Sequence, residues 1–307
     1  TNSFVSPARV RNLSERFGMK TLIQGGFVVG FDGTQHEIIK DGSVVYDGNR
    51  IEFVGKDYSQ SVDRKIDAKG CLVSPGFIDT HFHSGINASD YILNDSTKLD
   101  FFAANYLAHG APSREGADSA HLKDVDIGQR FSLIHLLKSG VTTTFEIGGP
   151  GGEPERFVDM VDEVGIRTAT GPSYKNVSFF HDREGRLEYD WDEARGSEGL
   201  KKALQFVKQF DGACKGRMTA MLFPGHVDSC TPDLLKQTKK AANDAGVRVQ
   251  IHATINLFEF HTVMQRERCT PIELLQKIGF LDPQVSLSHC IFISGHSWLA
   301  YPYGDDL

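Results

Sequence analysis

The chain has 307 residues, 40% of them apolar and 24% charged, with a formal net charge of -7. This is the mixture of a globular protein able to bury a core, and no run approaches the roughly 18 uninterrupted apolar residues of a membrane span. The charge is spread without acidic or basic blocks, which speaks against nucleic-acid and membrane partners and for a small-molecule one.

Five cysteines (Cys71, Cys214, Cys230, Cys269, Cys290) are scattered without C-x-x-C spacing and read as reduced thiols. The first residues, TNSFVSPARVRNLSERFGMK, are polar and charged in place of an apolar secretory core, so the expected compartment is the cytoplasm. From Thr21 to Leu72, short β-branched and aromatic runs are cut by Asp-Gly at 32–33, 41–42 and 47–48. Asp-Gly between such runs signals hairpins, because both residues tolerate positive φ. Residues 1–72 are therefore expected to form an N-terminal extension and a small antiparallel, sandwich-like β domain that needs strands from elsewhere or support from the rest of the protein.

Beyond Leu72, strand-sized apolar runs alternate with helical stretches. LVSPGFIDTHFHSG precedes helical segments at 97–107 and 115–137. VTTTFEIGG, a helix over 153–164, IRTATGPSY and a polar excursion over 176–197 follow. The excursion, with Phe179, Phe180, Tyr189 and Trp191, suits a lid or a subunit contact. Next come a helix over 198–210, RMTAMLFPGH, a helix capped by Thr231 with Pro232 behind it and closed by Gly246, VRVQIHATIN, a helix over 269–278, and VSLSHCIFI. Six strands with intervening helices indicate an α/β fold with a parallel sheet in residues 73–307.

A doubly wound sheet or a (β/α) barrel would satisfy that alternation. GGPGG at 148–152 lacks the G-x-G-x-x-G spacing of a dinucleotide site. A barrel predicts chemistry at the C-terminal ends of strands. His81, His83, His252 and His289 fall there, with His226 just beyond a fourth strand. Residues i and i+2 of a strand share a face, so His81 and His83 can aim at one cation about 2.0 to 2.1 Å from each nitrogen. A lone strand histidine is more often a packed core side chain, but their joint placement favours a site. Glu146, Tyr174, Lys175 and His226 stand at strand ends as candidate substrate-binding residues.

PGFIDTHFHSG at 75–85, preceded by the Asp-Gly-punctuated β segment and followed by IHA and SHC, resembles the amidohydrolase superfamily of metal-dependent (β/α)8-barrel hydrolases. The similarity is to the branch containing cytosine deaminase and the s-triazine hydrolases. The resemblance implies one divalent ion, zinc first with iron, cobalt or manganese as alternatives, held by His81, His83 and His252. It also implies that His289 contacts the attacking water or the substrate. The aspartate that ends strand eight in that family has no counterpart after SWLAYPYGDDL, and six strands would leave two open edges. The expected assembly is therefore a homo-oligomer or a complex with a complementing C-terminal polypeptide.

Deaminases of that branch carry H-x-x-E on strand five, where this chain has His252, Ala253, Thr254 and Ile255. Ile255 cannot carry a proton. Glu259 is a weaker substitute, since a carboxylate at a helix start is commonly solvated and favoured by the dipole. The expected reaction is accordingly hydrolysis of an amide, urea or (thio)carbamate-like bond by metal-activated water, as in phenylurea or thiocarbamate hydrolases. Ring deamination is the first alternative, and a non-catalytic binding or assembly subunit the second.

Overall fold

A computed structural model describes residues 18–85, 125–150, 153–181, 187–299 and 306. The chain divides into two compact units, Thr1–Gly76 and Phe77–Leu307. Among the described residues, no helix is long and apolar enough to cross a membrane.

The first unit contains β1 (Thr21–Phe31), β2 (His36–Asp47), β3 (Arg50–Gly55), β4 (Arg64–Asp67) and β5 (Leu72–Val73) in one sheet. Its order is β3-β2-β1-β4, with β5 also paired to β1. Two of the three Asp-Gly pairs make turns. Asp32 Oδ1 accepts the amides of Thr34 and Gln35 at 2.7 and 2.9 Å between β1 and β2, and the pair at 47–48 links β2 to β3. The third, at 41–42, lies within β2, where Asp41 has φ 54° and the register against β1 slips around Gly26. It is a bulge, with the extra residue absorbed inside the ladder. β4 and β5 run parallel to β1, so the unit is mixed where an antiparallel one was expected. No second sheet belongs to it among the described residues, as a sandwich would require.

The second unit is built on parallel strands: β6 (Phe77–Phe82), β7 (Val141–Ile147), β8 (Arg167–Gly171) continued by β9 (Ser173–Tyr174), β12 (Met218–Ala220) continued by β13 (Phe223–Pro224), β14 (Val249–Ala253) and β15 (Val285–His289). β10 (Val177–His181) and β11 (Leu187–Trp191) form an antiparallel hairpin within the 176–197 excursion. Ladders join β6-β7-β8-β12, β9-β13 and β14-β15. Parallel bridges Leu222–Val249 and His226–His252 connect the fourth strand position to the fifth. The six strands thus follow one another in sequence order, as right-handed strand–helix repeats do.

The array curves. Gln250 Nε2, on β14, donates to Thr80 O on β6 and to Ser288 Oγ on β15, both at 2.9 Å. Adjacent strands approach closely at Gly171, where a Cβ would collide with the Met221 carbonyl.

Helices Val125–Lys138, Pro154–Val164, Glu193–Phe210, Pro232–Ala245, Leu257–Glu267 and Pro271–Lys277 lie between the strands. Their ends follow local chemistry. Thr231 Oγ1 accepts from Leu234 N and Pro232 occupies the first turn, while Gly246 closes the helix at φ 68°. Thr270 and Glu273 form a capping box. The expected segment at 97–107 lies outside the described residues. The helix Leu257–Glu267 begins where the sequence expected a helix or loop start at Glu259, and Asn256 caps it. Leu222, Leu235, Val249, Ala253, Val263, Leu275 and Phe280, each fully buried, pack β13, β14 and their helices into the largest apolar cluster. Phe157, Met160, Val161, Phe206 and Met218 make a second around the earlier strands.

Tyr189 and Trp191, on β11, pack onto the Leu257–Glu267 helix. Tyr189 stacks with Phe258 at 5.9 Å between centroids, and the Arg266 guanidinium lies 5.0 Å over the Trp191 ring.

Candidate metal centre

Register brings the histidines level. His226 bridges His252, His252 faces Ser288, and Ala253 faces His289, so residues distant in sequence end their strands side by side. Nε2 of His252 lies 3.2 Å from Nε2 of His83. His81 stands edge-on to both, at centroid distances of 4.9 Å from His83 and 5.1 Å from His252. One ring nitrogen from each of the three falls within 4.8 Å of the others.

The donor set fits a cation. Two nitrogens on a tetrahedral ion at 2.0 to 2.1 Å stand about 3.3 Å apart, close to the His83–His252 separation. His252 Nδ1 lies 2.9 Å from Gly225 O. A carbonyl only accepts, so Nδ1 carries the proton and Nε2 presents a lone pair to the centre. His83 is held likewise by the Ile147 carbonyl. Both nitrogens of His81 are buried without a hydrogen-bond partner. Burial lowers the pKa of all three imidazoles, with that of His81 pushed down to about 4 by burial and by the neighbouring His289 and His83. Neutral rings with inward lone pairs are what a divalent ion requires.

His289 completes the group from β15. Its ring lies 4.5 Å from that of His81 and stacks on His252 at 5.3 Å. Its backbone is left-handed at φ 76°, as are Cys290 at 49° and Thr254 at 53°. Such conformations are uncommon outside glycine and concentrate at functional sites. His289 is exposed, and burial of its ring edge together with His83 lowers its pKa to about 4. Cys290 turns to the other side and packs against the main apolar cluster.

The other expected residues divide. His226 is next to the group, its ring stacked on His252 at 4.3 Å, and burial first, then Lys175, lowers its pKa to about 3. Lys175 is half-buried, with its pKa lowered by burial. Tyr174 is buried beside the Pro232–Ala245 helix, where its hydroxyl shares a 3.0 Å hydrogen bond with Thr238 Oγ1, and it does not reach the imidazoles. Glu146 is turned into the protein. Its Oε1 accepts from Ser84 N at 2.8 Å and Ser84 Oγ at 2.6 Å. Gln129 Nε2 ties the same hydroxyl and the Gly149 carbonyl together, each at 3.1 Å. A Cβ on Gly149 would strike this carboxylate. The arrangement fixes the loop after His83. Lone H-x-H spacing gives no sign of it, because the partner lies 62 positions away.

A further group escaped sequence reasoning. Asp228 and Glu259 are both wholly buried beside His226. Glu259, expected as a solvated helix-start carboxylate, instead accepts the Ile255 amide at 2.8 Å. Asp306 caps Thr270 Oγ1 at 2.5 Å and Ser294 N at 2.7 Å.

The chain is 29% identical over 273 residues to a 5'-deoxyadenosine deaminase of Methanococcoides burtonii, covering 89% of this chain and 57% of that protein. It is 31% identical over 259 residues to 5-methylthioadenosine/S-adenosylhomocysteine deaminase 2 of Archaeoglobus fulgidus, covering 82% and 55% respectively. The chain therefore spans little more than half the length of these relatives. In fold it is similar to the triazine hydrolase of Arthrobacter aurescens, with TM-score 0.69, 22% identity, and coverage of 92% of this chain and 63% of that one. The atrazine chlorohydrolase of that organism, solved in complex with zinc, aligns with the same TM-score and identity over 91% of this chain and 63% of its own. The amidohydrolase family model matches residues 72–302, beginning five residues before the strand Phe77–Phe82 that carries His81 and leads to His83 and running past His289, and the chain belongs to that family.

Proposed function

We propose that this chain carries the metal-binding part of a hydrolase that acts at a carbon–nitrogen bond, with deamination of a ring-borne amine as its reaction. The observation that carries the reading is the convergence of His81, His83 and His252 on one point, with His289 against them. The relatives' names favour a substrate of the aminopurine nucleoside or aminotriazine class over the amide, urea or (thio)carbamate bond expected from the missing strand-five acid. That expectation keeps one observation in its favour: position 255 is Ile, which offers only its backbone amide to Glu259.

His81, His83 and His252 would hold the ion, zinc first because a structural relative is complexed with it. When bound, the ion supplies a water of lowered pKa and polarises the carbon under attack. The Gly225 carbonyl fixes the tautomer of His252, and Glu146, through Ser84, fixes the backbone on which His83 sits. His289, with its pKa lowered to about 4, would give one hydrogen bond to the attacking water or to the ring nitrogen on which charge develops.

The reading includes a (β/α)8-like barrel. Among the described strands β6 and β15 each have one neighbour in the parallel array, so two further strands, from polypeptide outside these residues or from another copy, would close it. It also includes a small β domain at 1–72, a hydrolase unit at 73–307, a homo-oligomer and a cytoplasmic setting. The test is ammonia release by the zinc-loaded protein from 5'-deoxyadenosine and from an aminotriazine, beside amine release from a phenylurea. Turnover of the first pair supports deamination; turnover of the phenylurea alone overturns it in favour of the urea reading.

A further inference from the structure

His226, Asp228 and Glu259 are not used by the chemistry above. His226 and Asp228 follow β13, and Glu259 stands in the first turn of the Leu257–Glu267 helix. One ligand atom from each lies within 4.8 Å of the other two. Four buried atoms of this group have no hydrogen-bond partner: His226 Nδ1, both carboxylate oxygens of Asp228, and Glu259 Oε1. Amides of Asp228 and Ser229 approach the Asp228 carboxylate without closing to hydrogen-bond geometry; near Glu259 the Thr254 amide likewise approaches without closing onto Oε1, and the Val227 amide is taken by His252 O. A native protein keeps few such orphans, because each costs about 1 to 3 kcal/mol.

Nearby side-chain cations leave the acceptors open. Arg266 directs Nη1 to Asp228 O at 2.8 Å and Nη2 to the carbonyls of Val227 and Cys230 at 3.3 Å each, while its Nε meets Glu267 at 2.6 Å. Lys175 and Arg266 act on Asp228 through space, and Cys290 lies within electrostatic range of Glu259. Burial nevertheless pushes Asp228 up to about 6, and it raises Glu259 well above the usual carboxyl value, with Asp228 adding to the shift. Two carboxyls and an imidazole pointing at one another in a dry interior are stabilised by a small cation between them.

We propose that His226, Asp228 and Glu259 form a second divalent-cation site, separate from the three-imidazole centre and composed of one imidazole nitrogen and two carboxylate groups. That donor set suits zinc, manganese, iron or cobalt. The stacked rings of His226 and His252 make the two centres neighbours. The site does not depend on which bond the enzyme cleaves.

Metal analysis of the purified chain, loaded with zinc or manganese and desalted, tests it. The unaltered protein retains about two equivalents. Asp228→Asn and Glu259→Gln each retain about one, and His81→Ala loses the other equivalent while keeping this one. One equivalent in the unaltered protein, or two in both carboxyl variants, overturns the proposal. Because either variant could fold poorly, a crystal of the unaltered loaded chain provides a second reading. An anomalous peak at the metal edge among the three side chains supports the site, and an ordered water there without anomalous signal overturns it.

Discussion

Replacing Glu146 by alanine tests whether the carboxylate serves the loop that carries His83. The change removes the acceptor of Ser84 N and Ser84 Oγ, bonds of 2.8 and 2.6 Å, in a place where Glu146 is 1% exposed and Ser84 0%. Thr170 Oγ1 keeps the Glu146 backbone carbonyl at 2.9 Å, so two donors are orphaned. At about 1 to 3 kcal/mol for each buried unsatisfied group, the expected loss is about 2 to 6 kcal/mol. Removing the buried carboxyl relieves its own desolvation, which favours the lower end. Glu146→Gln keeps one carbonyl acceptor for Ser84 and should cost about 1 kcal/mol. Because Ser84 adjoins His83, the alanine variant should also bind zinc about 10- to 100-fold more weakly, as loss of groups that orient ligands commonly does. Urea unfolding of the metal-free chain measures the first effect, and competition with a chromophoric chelator the second. An alanine variant with unchanged midpoint and zinc affinity would refute the assignment of Glu146 as a positioning residue. Activity lost with both of those intact would return it to substrate binding.

His81→Ala or His83→Ala should remove the metal of the three-imidazole centre and activity together. His289→Asn should keep the metal and lower turnover by about 10- to 100-fold, within the range of general acid–base contributions; loss of metal from the latter would make His289 a ligand. Acidification should destabilise the metal-free chain. His81 and His226 have folded pKa values near 4 and 3, below the ordinary 6.5, so the unfolded chain binds more protons and stability falls as pH drops through the interval from 6.5 to 4. The raised carboxyls of Asp228 and Glu259 act in the opposite sense over that interval, so the fall should be steeper in Asp228→Asn; urea midpoints flat in both proteins would contradict the buried, neutral rings. Leu235→Ala, at a fully buried position between β13 and its helix, should cost about 2 to 5 kcal/mol by calorimetry, and a cost below about 1 kcal/mol would mean that the cluster is loosely packed.

Much of this protein is legible from local chemistry. Helix ends at Thr231, Gly246 and Thr270 follow from side chains that bond the nearest free amides and from a glycine that takes positive φ, and such interactions span a few residues. The strand alternation and the H-x-H pair are equally local. What escaped was decided at a distance. Asp41-Gly42 looks the same in sequence whether it turns or bulges, and pairing with β1 made it a bulge. Glu146 stands at a strand end like a substrate contact, yet the return of Ser84 from 62 residues away turned it into a clamp. Asp228 carries no motif that singles it out and Glu259 reads as a solvated helix-start carboxylate, yet tertiary packing closed water away from both. Sequence by itself determined which residue types and periodicities were available, because propensity, capping and strand alternation act between near neighbours. Only the tertiary structure decided which of those side chains share a dry volume, because sheet curvature and register, set by the whole array, bring His83 and His252 from 169 positions apart to 3.2 Å.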